Sequence, residues 1–352
     1  MPIPIRAITI SDAASWELEK NLWNDEFVPA KMTVNGVAVS VKIRHRGGHT
    51  RDYPKRSYEV VNKNQTVHYN AEFDDPSAIR NALSFAFFPM IGVPTQKAKH
   101  VLLKMNGRSL GVYLEIEAVE RSFFRKRKIG ASSLFYAVNN RADFGLYSPD
   151  SDRLKSSLTS GYEHRFGDSS EKVKLAAFIK GINVRNGKQA ESFIRSRLDV
   201  SNYLRWLTGA VLTGNYDGFE QNYAIYRSGG TDKFRMIPWD YEGTWGRNCY
   251  GRLVDSDMVQ VTGYNFLTRK MLKYSSFRNQ YQSTLRTALA GPFTETRIMP
   301  LANRMLGQIS PYIREDRARK WSYADFLGES GVIHNYIKER RSIVKKEMAY
   351  LS

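Results

Sequence analysis

Asp217, Asn222 and Asp240 are residues whose types and spacing could do chemistry. One carboxylate can orient an attacking hydroxyl, while a second carboxylate and an amide oxygen hold hard cations against phosphate oxygens. A further carboxylate, Glu242, follows close behind Asp240. We therefore predict a magnesium-dependent phosphoryl transfer, in which Asp217 is the catalytic residue that orients the hydroxyl and Asn222 and Asp240 are metal ligands.

The predicted secondary structure explains how these residues could meet. A helix rich in Leu, Ala and Val is expected to end at Gly214, so that Asp217 lies in the connection that follows. Strands are predicted over residues 223–226 and 234–237, joined by a two-glycine turn. Because the ends of neighbouring strands lie close together, Asn222 and Asp240 are expected to converge on Asp217.

The spacing of Asp217 and Asn222 is the Asp-x-x-x-x-Asn of the protein kinase catalytic loop. Asp240 follows one strand later, where kinases place their metal-binding Asp. Further motifs match one family in order and spacing, and they lie at residues 44–48, 54–58, 75–81, 106–107, 111–113, 117, 215–217, 222–223 and 238–240. Through them the chain resembles the spore coat protein H (CotH) family of atypical protein kinases over nearly its whole length.

Strand patterns dominate the first third of the chain and helical patterns the remainder, which predicts an α+β fold. The resemblance implies a protein-kinase-like two-lobe architecture, with a strand-rich N-lobe over residues 1–117 and a mainly helical C-lobe over 118–352. It also implies an ATP- and Mg²⁺-dependent serine/threonine kinase, with Mn²⁺ as the alternative metal. The implied partners are substrate proteins rich in Ser and Lys, such as spore coat proteins. The resemblance also implies that this protein is located in the spore coat.

The turn at Gly47 and Gly48 lies between two predicted strands and is followed by basic residues. Backbone N–H groups of such a turn can approach phosphates, and nearby cations can neutralise them. The resemblance gives Lys55 or Arg56 the role of the phosphate-contacting lysine of kinases, and we favour Lys55. The predicted ATP-binding residues are Arg46, Gly47, Gly48, Arg51, Lys55, Arg56, Glu117 at the adenine edge, and Trp239.

Kinases pair that lysine with a glutamate from the next helix. No Glu lies between Arg80 and Lys104, so the ion pair must be absent or supplied differently. The segment after Asp240 contains Asp255 and Asp257, which by analogy with kinases are placed to bind substrate cations. The alternative is an Asp-Ser-Asp turn that faces solvent.

The chain has 53 Lys and Arg against 35 Asp and Glu, a formal net charge of +18. This charge favours anionic partners, so a metal-dependent nuclease or nucleic-acid-binding protein is the alternative, with Asp217, Asp240 and Glu242 holding metal. A catalytically silent coat scaffold is a third possibility. The charge is dispersed, and on the kinase reading neither nucleic acid nor membrane is an expected partner.

No apolar run suggests a signal peptide or a membrane helix, so we expect a soluble protein. Cys249 is the single cysteine, which excludes an internal disulfide and a cysteine zinc site, and we expect it to be packed or idle.

Overall fold

The computed structural model describes residues 2–63 and 65–351. The chain divides into two compact units, each of which draws on several stretches of sequence. The first unit contains residues 1–82, 96–123 and 300–330, and the second contains 83–95, 124–299 and 331–352. These units are interleaved along the chain, whereas the predicted lobes are contiguous, and the lobe boundary after residue 117 stays a prediction.

The first unit is built on a closed barrel of seven strands in the order β1-β2-β3-β4-β5-β7-β6. Neighbours are antiparallel except β1 and β6, whose parallel pairing closes the barrel. The strands are β1 (Ile5–Thr9), β2 (Val28–Val34), β3 (Val37–Arg46), β4 (Ser57–Val61), β5 (Thr66–Asn70), β6 (Ala98–Met105) and β7 (Arg108–Glu117).

Two of the barrel hairpins turn at an Asn-Gly pair, the commonest sequence of a two-residue hairpin loop. Asn35 and Gly36 join β2 to β3, and Asn106 and Gly107 join β6 to β7, and all four residues have positive φ. Positive φ at both central positions is the type I′ geometry, whose twist matches that of paired strands. Apolar residues such as Ile43 and Leu103 alternate into the barrel interior, where they are fully buried.

The second unit contains an antiparallel sheet in the order β11-β10-β8-β9. Its strands are β8 (Ala131–Ala137), β9 (Tyr162–Phe166), β10 (Tyr223–Ser228) and β11 (Phe234–Pro238). Every residue of β10 is buried, as expected for a central strand.

Ten α-helices are present in the described part of the chain. They are α1 (Asp12–Lys20), α2 (Arg80–Phe87), α3 (Arg121–Lys126), α4 (Ser169–Val184), α5 (Gly187–Arg197), α6 (Val200–Thr213), α7 (Phe266–Met271), α8 (Ser275–Ala290), α9 (Glu295–Glu315) and α10 (Tyr323–Met348). None of them combines the length and the apolar character that crossing a membrane requires. Strands dominate the N-terminal region and helices the C-terminal region, which confirms the predicted α+β class.

Helix α6 places the predicted catalytic residues. Its N-terminus is capped by Asp199, whose carboxylate accepts the Asn202 N–H at 3.0 Å. It ends at Gly214, which has the left-handed conformation that commonly terminates helices. The chain then passes through Asp217 to Asn222 and enters β10, and Asp240 follows directly after β11.

Candidate active site

The C-terminal end of α6 is held by donors from other elements. Helix ends leave carbonyl groups without partners inside the helix, and these must be satisfied elsewhere. The bonds run from the Arg340 guanidinium to Val211 (3.0 Å), from the Tyr336 hydroxyl to Leu212 (3.0 Å) and from the Trp245 N–H to Thr213 (2.8 Å). The start of the turn that carries Asp217 is therefore fixed by buried contacts.

Gly214 is needed where α6 enters this turn. Its φ is +72°, and a Cβ atom there would lie 2.4 Å from the Tyr336 hydroxyl oxygen. A larger residue would strain the backbone and displace Tyr336. Close packing against α10 therefore determines the path of the chain just before Asp217.

Asp217 is half-buried in a short 3₁₀ turn, and the thiol of Cys249 contacts it. Burial first, and then the charge of Asp217 and the hydrogen bond to it, raise the pKa of Cys249 to about 12. The thiol is therefore neutral and donates to the Asp217 carboxylate. We expected a packed or idle thiol, because nothing in the sequence links a lone cysteine to a residue so far from it along the chain.

Asn222 and Asp240 are brought together by the pairing of β10 with β11. Tyr223 pairs with Pro238, and one step further the Trp239 N–H donates to the Asn222 carbonyl at 3.2 Å. The Asn215 side chain donates to the Asp240 carbonyl at 3.2 Å, which links the turn of Asp217 to the same sheet end.

Both predicted metal ligands have unusual backbone conformations. Asn222 has φ of 58° and Asp240 has φ of 57°, in the left-handed region that residues other than glycine rarely occupy. Such strain persists only where surrounding contacts impose it, and it is concentrated at functional sites. Here the pairing of β10 with β11 and the Asn215 contact hold both residues at one edge of the sheet.

The oxygen ligands at this edge fit a hard cation. Carboxylate and amide oxygens are the ligands that Mg²⁺ accepts alongside water and phosphate. Asp217, Asn222, Asp240 and Glu242 are all half-buried, which leaves room for water and substrate. Among the described residues, no group of three or more His, Cys, Asp or Glu side chains is arranged to hold a metal. The metal-ligand roles of Asn222 and Asp240 stay a prediction.

A cavity of about 320 Å³ opens beside Asp217. Its walls include Asn140, Tyr216, Asp217, Glu220, Tyr264 and Arg269. Partial burial, followed by the charge of Asp143, raises the pKa of Glu220.

Trp239 lies near the sheet edge, half-buried, with its ring 4.3 Å from that of Tyr136.

Asp143 belongs to an Asp-Phe-Gly tripeptide of the kind that kinases use for metal binding. Its carboxylate instead accepts the Lys155 ammonium at 2.5 Å and the Gly145 N–H at 2.8 Å. The neighbouring Phe144 is buried and stacks on Tyr223. Here the tripeptide stabilises a loop of the second unit.

In the first unit, the predicted phosphate-binding turn is held by its own basic residues. Gly47 has φ of +111°, and its carbonyl accepts the Arg51 guanidinium at 2.8 Å. Arg51 also bonds the Asp25 carboxylate at 2.7 Å, and Arg46 bonds the Asn70 side chain. These contacts give two of the predicted ATP-binding cations structural partners, and their ATP-binding role stays a prediction.

Gly48 follows in the turn with φ of −89°, and space around it is open. Arg56 donates to the Arg51 carbonyl and to the Glu19 carboxylate. Glu117 ends β7, where its side chain accepts the Lys97 N–H at 3.3 Å. The predicted roles of these three residues in ATP binding stay untested.

Lys55 is buried in an ion pair with Asp316, which follows α9. Its ammonium is 2.7 Å from the Asp316 carboxylate and 2.7 Å from the Val112 carbonyl. Burial lowers the pKa of Lys55, and the charge of Asp316 opposes that shift. The acidic partner of Lys55 is therefore Asp316, and no Glu between Arg80 and Lys104 is needed for this ion pair. The predicted contact of Lys55 with phosphate stays a prediction.

The Asp316 carboxylate contacts the backbone of β7 directly. It accepts the Val112 N–H at 3.0 Å, and a Cβ atom on Gly111 would lie 2.1 Å from it. Gly111, with φ of +94°, is the residue that permits this approach. Gly111 and Val112 belong to one of the motifs that carry the family resemblance, and this contact gives that motif a structural reason.

Asp255 and Asp257 are exposed, and neither lines the cavity beside Asp217. Ser256 between them is anchored, because its carbonyl accepts Arg340 at 3.0 Å and its hydroxyl donates to Glu339 at 2.8 Å. Their predicted contact with substrate cations stays a prediction.

Comparison with known proteins agrees with the sequence motifs. Residues 43–344 match the family described as CotH kinase protein. The inner spore coat protein H of Bacillus subtilis (strain 168) is 38% identical over 356 residues, which span 99% of this chain and 98% of that protein. The inner spore coat protein H-like protein of the same strain is 27% identical over 302 residues, which span 84% and 87%.

Among solved structures, the Helicobacter pylori proinflammatory kinase CtkA is 10% identical, with 88% of this chain and 95% of that chain covered. Its TM-score of 0.35 is too low for any inference from the likeness. The family match spans most of the chain and the identity to protein H extends over nearly all of it, which confirms the resemblance. The chain belongs to the CotH kinase protein family.

Proposed function

We propose that this protein is an ATP- and Mg²⁺-dependent protein kinase that transfers the γ-phosphate to serine or threonine hydroxyls. The observation that carries the proposal is the placement of Asn222 and Asp240, both with left-handed backbone, at the sheet edge to which Asn215 links the turn of Asp217. On this proposal the two compact units correspond to the two lobes of a protein kinase. Mn²⁺ is an alternative metal.

Asp217 acts on the acceptor hydroxyl. Its carboxylate orients the hydroxyl and accepts its proton as the oxygen attacks the γ-phosphorus, while the bond from that phosphorus to the β–γ bridging oxygen breaks and ADP leaves. Asn222 and Asp240 would hold Mg²⁺, which would neutralise charge on the phosphate oxygens. The Cys249 thiol restricts the Asp217 carboxylate without adding charge, because its raised pKa keeps it neutral.

The proposed substrates are proteins rich in serine and lysine, including spore coat proteins. Two relatives are named as inner spore coat proteins, which supports a place in the spore coat for this chain. The net charge of +18 would repel basic substrates unless acidic groups receive them near the reacting hydroxyl. Substrate choice therefore depends on carboxylates close to Asp217.

The test is transfer of label from γ-labelled ATP to a serine-rich peptide, in Mg²⁺, in Mn²⁺ and in EDTA. Wild-type protein should label the peptide only with metal, and Asp217→Asn should lower turnover by about 10²–10⁴-fold. Asp152→Asn is a matched control, because Asp152 is an exposed carboxylate with no place in the proposed site. No transfer by the wild type, or degradation of DNA or RNA without ATP, would refute the kinase proposal.

A further inference from the structure

The cavity beside Asp217 contains a second carboxylate, that of Glu220. The cavity volume of about 320 Å³ lies at the lower end of the range of roughly 300–1,000 Å³ that ligand pockets have. Glu220 lies three residues after Asp217 in the connection that leads to Asn222. A group bound against Glu220 would therefore share one space with the catalytic carboxylate.

Glu220 has no hydrogen bond or ion pair with any residue in the ranges that the structure describes. Arg269 is the basic residue on the same wall, and its guanidinium donates to the Tyr264 carbonyl, with no ion pair to Glu220 within 4.0 Å. The cavity wall thus carries two carboxylates and one guanidinium. In a chain of net charge +18, this is a local site that favours a cation.

An aromatic wall stands beside these carboxylates. The rings of Tyr216 and Tyr264 are 5.2 Å apart, and Tyr216 is 51% exposed. Tyr264 is held in place, because its hydroxyl donates to the Met258 carbonyl and accepts the Gln260 N–H, each at 2.9 Å. Aromatic faces attract ammonium and guanidinium groups within about 6 Å of the ring centroid.

We propose that Glu220 is a specificity-determining residue that binds a lysine or arginine side chain next to the acceptor hydroxyl, with Tyr216 and Tyr264 packing against its aliphatic stem. The proposal rests on the proposed kinase function and names the residue that selects its substrates. It assigns this role to the cavity beside Asp217, in place of the exposed Asp255 and Asp257.

The experiment compares three peptides that differ only beside the acceptor serine, which is flanked by lysine, alanine or glutamate. The measured quantity is the ratio of kcat/KM between peptides, because a loss of folding or of catalysis affects all peptides alike. Glu220→Gln should lower the lysine-to-alanine ratio by about 2–5-fold, the scale of a partly exposed ion pair. Glu220→Lys should reverse the order, so that the glutamate peptide becomes better than the lysine peptide.

Asp152→Asn provides the control for loss of one negative charge, and its ratio should equal that of the wild type. Asp255→Asn combined with Asp257→Asn tests the competing residues. If the ratio falls in that double variant and not in Glu220→Gln, or if Glu220→Lys keeps the wild-type order, the proposal is wrong. If the wild type transfers phosphate to none of the peptides, the kinase function fails and this inference fails with it.

Discussion

Replacing Asp316 with asparagine tests whether Asp316 and Lys55 stabilise the first unit as an interacting ion pair. The side chains of Lys55 and Asp316 are 3% and 1% exposed. Asparagine has nearly the same shape, and its amide oxygen can still accept the Val112 N–H and the Lys55 ammonium. The substitution removes the negative charge and also the oxygen that accepts the Ala318 N–H at 3.1 Å. A buried ammonium is then left without a counter-ion, which costs about 3–5 kcal/mol.

Lys55→Met removes the other member and leaves a buried carboxylate unpaired, at a similar cost of about 3–5 kcal/mol. The double variant contains neither charge, and an apolar stem replaces the lysine. We expect it to be destabilised by much less than the sum of the two single variants, with a coupling energy of about 3 kcal/mol or more. Urea unfolding of all four proteins, followed by circular dichroism, measures this cycle.

The same pair predicts a pH dependence. Because burial lowers the pKa of Lys55, the unfolded chain holds more protons between that lowered pKa and the ordinary value of 10.5. Stability should therefore rise with pH in this window. Asp316→Asn removes the opposing charge, so the rise should begin at a lower pH. Additive single costs, together with identical pH profiles for wild type and Asp316→Asn, would refute the coupled ion pair.

Three further outcomes are expected. Asp217→Asn should bind ATP like the wild type while turnover falls by about 10²–10⁴-fold, and weak ATP binding in calorimetry would argue against a purely catalytic role. Asp240→Ala should lose the Mg²⁺-dependent part of ATP binding, and equal titrations of variant and wild type in Mg²⁺ would exclude it as a ligand. Tyr336→Phe should cost about 1–3 kcal/mol by leaving the Leu212 carbonyl unsatisfied, whereas unchanged urea unfolding would show that water replaces the hydroxyl.

Local sequence signals determined much of the architecture. The Asn-Gly turns of the barrel and Gly214 at the end of α6 act through backbone conformations that their own side chains allow. The spacing of Asp217 and Asn222, with Asp240 one strand later, predicted that Asn222 and Asp240 lie at one sheet end, because consecutive strands joined by a short turn commonly pair. Such signals connect residues that are close in the chain, and for that reason they can be read from sequence.

Contacts between distant residues were decided by the tertiary structure. Lys55 and its partner Asp316 are 261 positions apart, and no periodic pattern relates them. The parallel pairing of β1 with β6 closes the barrel across about a hundred residues, and Cys249 reaches Asp217 from another loop. A sequence reports which residues are apolar, charged or able to turn, but the partner of a buried charge is set by which elements pack together.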